Sequence, residues 1–183
     1  MDEAIFQFFH NLVGQSSILD LLGIFLAKYL TYFLVLASLL FFLKEKDLKK
    51  RIFIFAFTVL TVIIARGIFT ELIRFFYNRP RPFLALNFEP LIPESGAGFP
   101  SGHASFLFGL VFPIFYFNRK FGAWFLVSSL LVGLGRVFVG VHYPGDILGG
   151  IFVALIAYLI VQSILIKYNP VHKQEVINPA NLN

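Results

Sequence analysis

Arg74 with Arg81-Pro82, the run Pro100-Ser101-Gly102-His103, and Arg136 with His142 and Asp146 form three short polar segments in an otherwise strongly apolar chain. Ionisable groups beside long apolar runs are costly to retain, which makes them candidates for a functional site. Together they supply guanidinium, imidazole and carboxylate groups. Guanidinium offers planar paired donors that match phosphate oxygens, and it keeps its proton. One imidazole can act as a nucleophile while a carboxylate fixes its tautomer, and a second can deliver or remove a proton. The set suits binding a phosphate group and transferring it through a histidine.

The chain that must position these groups is 58% hydrophobic and 14% charged, with 25 Phe and a mean hydropathy of +0.80. Soluble domains carry roughly 45–50% apolar and about 25% charged residues. Apolar stretches of about 20 residues recur, enough to cross a hydrocarbon core as helix. They are continuous rather than alternating, which argues against a β-barrel. The fold class expected is an all-α, polytopic membrane bundle in a single domain, 1–183, with about five transmembrane helices and a short N-terminal interfacial helix. The absence of cysteine excludes disulfides, thiolate nucleophiles and cysteine metal sites. The net charge of +5 is no nucleic-acid signal, because the basic residues fall in turns or among the polar segments. Met1-Asp2-Glu3 lacks the basic start of a cleavable signal peptide, so the first span is expected to stay in the membrane.

An amphipathic stretch at 4–13 is too short to span and reads as interfacial. Spans follow at about 17–43, 52–77, 101–117, 121–139 and 144–167, with a capping box expected at Ser17-Ile18-Leu19-Asp20. A proline-rich loop occupies 78–100. Five spans put the basic turns at 44–51 and 118–120 and the polar C-terminal tail on one side, which the positive-inside rule makes cytoplasmic. The N-terminus, the 78–100 loop and the 140–144 turn then share the extracytoplasmic side, and all three polar segments gather there.

Pro100-Ser101-Gly102-His103 opens a span, and a helix start with accessible N–H groups is an anion site. Asp146 stands one helical turn after His142 and can accept a hydrogen bond from one ring nitrogen, or simply stabilise the helix dipole. The three segments resemble the signature of the type-2 phosphatidic acid phosphatase family, which includes lipid phosphatases and vanadium haloperoxidases. Its pattern is Lys, six residues, Arg-Pro; then Pro-Ser-Gly-His; then Ser-Arg, five residues, His, three residues, Asp. Here Arg74 stands in place of the usual Lys and Gly135 in place of the usual Ser, within a signature region of 74–146.

The resemblance implies that His142 attacks phosphorus, Asp146 orients it and His103 protonates the leaving oxygen. It implies that Arg74, Arg81, Arg136, Ser101 and Gly102 hold the phosphate, with no metal or other cofactor. The partners implied are a lipid phosphate or diphosphate and the bilayer, at the bacterial cell membrane, with the C-terminus cytoplasmic. The five-span layout and the Pro-Arg-Pro-Phe…Phe-Pro-Ser-Gly-His run are most similar to undecaprenyl-diphosphate phosphatases of the bacitracin-resistance type. Phosphatidylglycerophosphate or phosphatidic acid phosphatase, lipid phosphotransferase, and a small anion channel or transporter are the rival readings.

Three further features carry expectations. Glu71 is expected to bridge Arg74 to a deeper cation, Arg66 or Lys28. Gly145 and Gly149 are spaced like a close helix-packing pair. The apolar side chains of the 78–100 loop either pack on the bundle or guide a lipid tail.

Overall fold

The structure is a computed structural model that describes residues 2–169. The polar tail containing His172, and with it the C-terminal end, lies outside the described residues. Seven helices follow one another: α1 (Asp2–His10), α2 (Ser17–Lys44), α3 (Leu48–Phe76), α4 (Pro82–Ala85), α5 (Gly102–Phe117), α6 (Arg119–Phe138) and α7 (Pro144–Tyr168). The chain is thus an all-helical membrane bundle: a helix stands within a few residues of each of the five expected spans, and four of these are long and apolar enough to cross a membrane.

Local chemistry sets their ends. Asp47 accepts a hydrogen bond from the Lys50 N–H and Asn118 from the Phe121 N–H, so α3 and α6 begin on side-chain caps. The capping box expected at Ser17 is not formed. Asp20 instead accepts from the Gly14 N–H at 3.1 Å, tying the turn before α2 to the helix.

Four of the helices are long and apolar enough to cross a membrane, whereas α5 has 16 residues. At ~1.5 Å per residue it is ~24 Å long, short of a ~30 Å hydrocarbon core. Its start lies against the last turns of α3: a Cβ placed on Gly102 would meet Arg66 Nε at 2.8 Å and Arg74 Nη2 at 3.3 Å.

α5 is also the centre of the packing. It contacts α3, α6 and α7, and Leu107, Phe108, Val111 and Ile114 are almost fully buried. A helix apolar all round belongs in such an interior. The glycine that admits close packing of α7 on α5 is Gly150, where a Cβ would lie 2.7 Å from the Ala104 Cβ. Gly145 and Gly149 do not form the expected helix-packing pair. The first makes room for the Asp2 carboxylate and the second for the Phe99 ring. α2 rests on α6 at the outside of the bundle, leaving Leu21, Phe33 and Leu43 exposed as side chains suited to lipid.

Candidate active site

At the end of the bundle where α1, the 77–101 loop and the 139–143 turn meet, a cavity of about 330 Å³ is lined by charge in an otherwise apolar protein. Its walls include Arg74, Arg81, Gly102, His103, Arg136 and His142, gathered from α3, the loop, α5, α6 and the turn before α7. Backbone hydrogen bonds knit these pieces together: Ser101 N–H to Asp146 O at 2.9 Å, Leu91 N–H to Val139 O at 3.1 Å, and Gly98 N–H to Arg79 O at 2.8 Å.

His142 is the most tightly defined member. It is 1% exposed. Its Nδ1 lies 3.4 Å from Asp146 Oδ2, and its Nε2 lies 3.3 Å from Arg81 Nη1. Asp146 accepts only, so Nδ1 carries the proton and Nε2 presents its lone pair toward the arginines. Burial pushes the His142 pKa down to about 4, with the Asp146 hydrogen bond opposing and the Arg136 and Arg81 charges assisting. A neutral imidazole with the lone pair on Nε2 is the form a nucleophile needs.

Asp146 is fully buried and doubly anchored. Oδ2 accepts from the Tyr143 N–H at 2.9 Å, and Oδ1 accepts from Arg79 Nη1 at 2.8 Å. Arg79 in turn donates through Nη2 to Asp2 Oδ2 at 2.8 Å, and Asp2 Oδ1 accepts from the Gly145 N–H at 2.8 Å. The Arg79 guanidinium also stacks 4.5 Å from the centre of the Tyr143 ring. Helix α1 is thereby connected to His142 through Asp2, Arg79 and Asp146. Sequence reasoning missed Arg79 and Asp2. The one available signal was a second arginine, two residues before Arg81, in a loop otherwise rich in proline and apolar residues.

The arginines divide their work. Arg81 donates to the carbonyls of Ser95, Gly96 and Val141 at 2.9–3.0 Å, so it folds the loop as well as facing His142. Burial pushes its pKa down to about 10, partly offset by Glu94, and it remains charged at neutral pH. Arg136 is 3% exposed and pairs with Glu94, while its buried Nε has no hydrogen-bond partner. Arg74 donates through Nε and Nη2 to the Pro100 carbonyl at 3.2 and 2.9 Å, a forked contact that the more usual Lys would not make. Its Nη1 lies 3.7 Å from Glu71, which also pairs with Arg66. Glu71 thus bridges Arg74 to a deeper cation, as expected, and that cation is Arg66; Lys28 lies over the Tyr29 ring instead.

Ser101 has a different placement from the phosphate contact expected of it. It is fully buried, its Oγ accepts from the Ala104 N–H at 3.4 Å, and it caps α5 rather than lining the cavity. Gly102 is on the wall, and its missing side chain is what lets Arg66 and Arg74 close over the first turn of α5. At Gly135, a Cβ would stand 2.7 Å from the Ala27 backbone nitrogen, so the serine usual at this place in the signature has no room against α2. The loop side chains mostly pack. Ile92 joins Ala27, Val139 and Val141, and Phe88 lies against His10 and Phe6.

Glu94 is the other residue the sequence did not single out. Its carboxylate sits between Arg136 and Arg81, 3.8 Å from Arg81 Nη2. Burial alone would raise its pKa, but the charge and hydrogen bond of Arg136, with Arg81, hold it below the usual carboxylate value. A carboxylate of the chain itself therefore lies between these two arginines. Among the described residues no group of three or more His, Asp or Glu is arranged to hold a metal ion.

Comparison with known proteins places the chain in a family. Undecaprenyl-diphosphatase BcrC of Bacillus subtilis (strain 168) is 33% identical over 85% of this chain and 80% of its own length. Bacitracin transport permease protein BcrC of Bacillus licheniformis is 32% identical over 85% of this chain and 76% of its own. The crystal structure of Aquifex aeolicus LpxE superposes with a TM-score of 0.70 at 21% identity, covering 87% of this chain and 93% of that one. The family model for the PAP2 superfamily matches residues 55–169, a region that contains every cavity arginine and both histidines. This chain therefore belongs to the PAP2 superfamily, as a membrane-embedded lipid phosphatase.

Proposed function

We propose that the chain removes the terminal phosphate of a membrane lipid diphosphate, most specifically undecaprenyl diphosphate, through a phosphohistidine at His142. The observation that carries this reading is the setting of His142. One ring nitrogen is tied to Asp146 and the other opens beside Arg81 into the arginine-lined cavity. In the first step, the Nε2 lone pair attacks the terminal phosphorus and the bond to the bridging oxygen breaks. His103 donates a proton to that oxygen, and the lipid monophosphate leaves. In the second step, a water oxygen attacks the phosphohistidine, His103 takes the water's proton, and the P–N bond breaks to release orthophosphate. Arg81 and Arg136, with the first turn of α5, stabilise the charge that builds on the phosphoryl oxygens.

The name of the Bacillus subtilis relative supports the diphosphate. The basic turns at 44–51 and 118–120 support an extracytoplasmic site in a bacterial cell membrane, since they lie at the ends of α2 and α5 away from the cavity. The test is phosphate release in detergent from undecaprenyl diphosphate, phosphatidylglycerophosphate, phosphatidic acid and diacylglycerol diphosphate, compared by kcat/KM. The undecaprenyl lipid is expected to be best. A higher value for phosphatidylglycerophosphate would overturn the substrate, and release from no lipid would overturn the reaction.

A further inference from the structure

Three cavity arginines belong to the signature; a fourth does not. Arg66 lies in a wide, π-helical turn of α3, Ile63–Phe69, a local feature common at functional sites. Its side chain is 38% exposed although it pairs with Glu71. It lines the cavity with Thr31 of α2 and Phe106 of α5. Phe106 lies one turn beyond His103 along α5, so this wall continues past the proton donor. Thr31 Oγ1 is buried there with no hydrogen-bond partner. A buried hydroxyl without a partner is costly.

The walls thus carry more cationic groups than one phosphoryl group engages. Arg81, Arg136, Glu94 and Ser95 line the cavity with His142, and Arg66, Thr31 and Phe106 line it as well, with Arg66 and Arg74 both against Gly102. A single phosphoryl group engaged at His142 beside Arg81 leaves Arg66 with the Glu71 carboxylate as its anion. At about 330 Å³ the space suits a compact headgroup, at the small end of the ~300–1,000 Å³ range of ligand pockets.

We propose that Arg66 and Thr31 form a second phosphate subsite, which holds the non-reacting phosphate of a diphosphate substrate while His142 attacks the terminal one. This deepens the proposed function and rests on its placement of the reacting phosphate. In the first step, the bridging oxygen leaves on the phosphate held by Arg66, so the cation offsets negative charge as it accumulates there. A lipid monophosphate has no group to fill this subsite. Selection for diphosphates therefore comes from this chain's own α2 and α3.

The test compares wild type, Arg66→Gln and Thr31→Val on farnesyl diphosphate and farnesyl monophosphate, with inorganic diphosphate and inorganic phosphate as inhibitors. The ratio of kcat/KM values, diphosphate over monophosphate, is expected to fall about 10- to 100-fold in Arg66→Gln and several-fold in Thr31→Val. Inorganic diphosphate is expected to inhibit wild type more strongly than phosphate does, and Arg66→Gln is expected to lose that advantage. Equal losses on both lipids, with the inhibitor ratio unchanged, would mean Arg66 is only structural and would overturn the subsite. Wild type that hydrolyses neither lipid would overturn the proposed function instead, and the inhibitor ratio would still decide the subsite.

Discussion

Installing the serine usual for this family at position 135 is expected to harm the protein. A Cβ on Gly135 would lie 2.7 Å from Ala27 N, 2.8 Å from Leu26 Cβ and 3.0 Å from Leu26 C. The shortest of these falls ~0.8 Å inside the ~3.5 Å at which such atoms begin to attract. Overpacking costs about 1–3 kcal/mol, and the upper half applies because the obstacles include the backbone of α2 rather than a free side-chain end. At ~2–4 °C per kcal/mol for a chain of this length, a cost of ~2–3 kcal/mol lowers the melting temperature by roughly 4–12 °C. Gly135→Ala is expected to cost nearly as much as Gly135→Ser, since the clash begins at Cβ. Because Arg136 is the next residue, a shift of α6 against α2 also moves a cavity arginine proposed to hold phosphate, and displacements near 1 Å can cost about 100-fold in rate. Thermal unfolding in detergent, followed through Trp124 fluorescence, and phosphate release measure both effects. A melting temperature within ~1 °C of wild type for both variants, with full turnover, would refute the packing account.

Other consequences concern the groups around His142. Arg79→Gln leaves the buried Asp146 carboxylate without a cation and is expected to lower kcat about 10- to 100-fold. Asp2→Asn disturbs only the partly exposed end of the same chain of contacts, worth ~0–1 kcal/mol, so its kcat is expected to fall less than ~5-fold. Glu94→Gln removes the carboxylate that competes for Arg81 and Arg136, so the inhibition constant of inorganic phosphate is expected to drop severalfold; an unchanged constant would show that Glu94 does not occupy the anion position. The folded His142 pKa, about 4, lies below the ordinary ~6.5, so the neutral nucleophile persists as pH falls through 6.5 and protonates only near 4. Its acid limb in kcat is expected below pH 5, and a limb at 6.5 that shifts on mutating Asp146 would contradict this. The same sign makes the native state progressively less stable as pH falls from 6.5 toward 4, because the unfolded imidazole takes up a proton that the folded one refuses.

The bundle was readable because its signals are local. Uninterrupted apolar runs end at Lys44–Arg51 and Asn118–Lys120, and the helix ends fall within a few residues of those breaks. The signature residues were readable by type and spacing, and His142, His103 and the arginines meet in one cavity. What the sequence hid depends on contacts between distant segments. Asp2 reaches Arg79 only because α1 folds back on the start of α7. Glu94 lies in an irregular loop whose course is set by Arg81. Ser101 matches its motif, yet its hydroxyl is turned to the α5 backbone. The meaning of Gly135 appears only when α2 is laid against α6. The start of α5 is of the same kind: its short length is visible in sequence, but its approach to Arg66 and Arg74 is not.

The central claim is that the phosphoryl group passes through His142 Nε2. Rapid acid-free quenching of the enzyme during turnover of a lipid diphosphate labelled in its terminal phosphate tests this directly. The account predicts a base-stable, acid-labile label on the peptide containing His142, accumulating in Asp146→Asn if dephosphorylation slows and absent in His142→Ala, which releases no phosphate. Sustained turnover by His142→Ala, or a label confined to another residue, would contradict it.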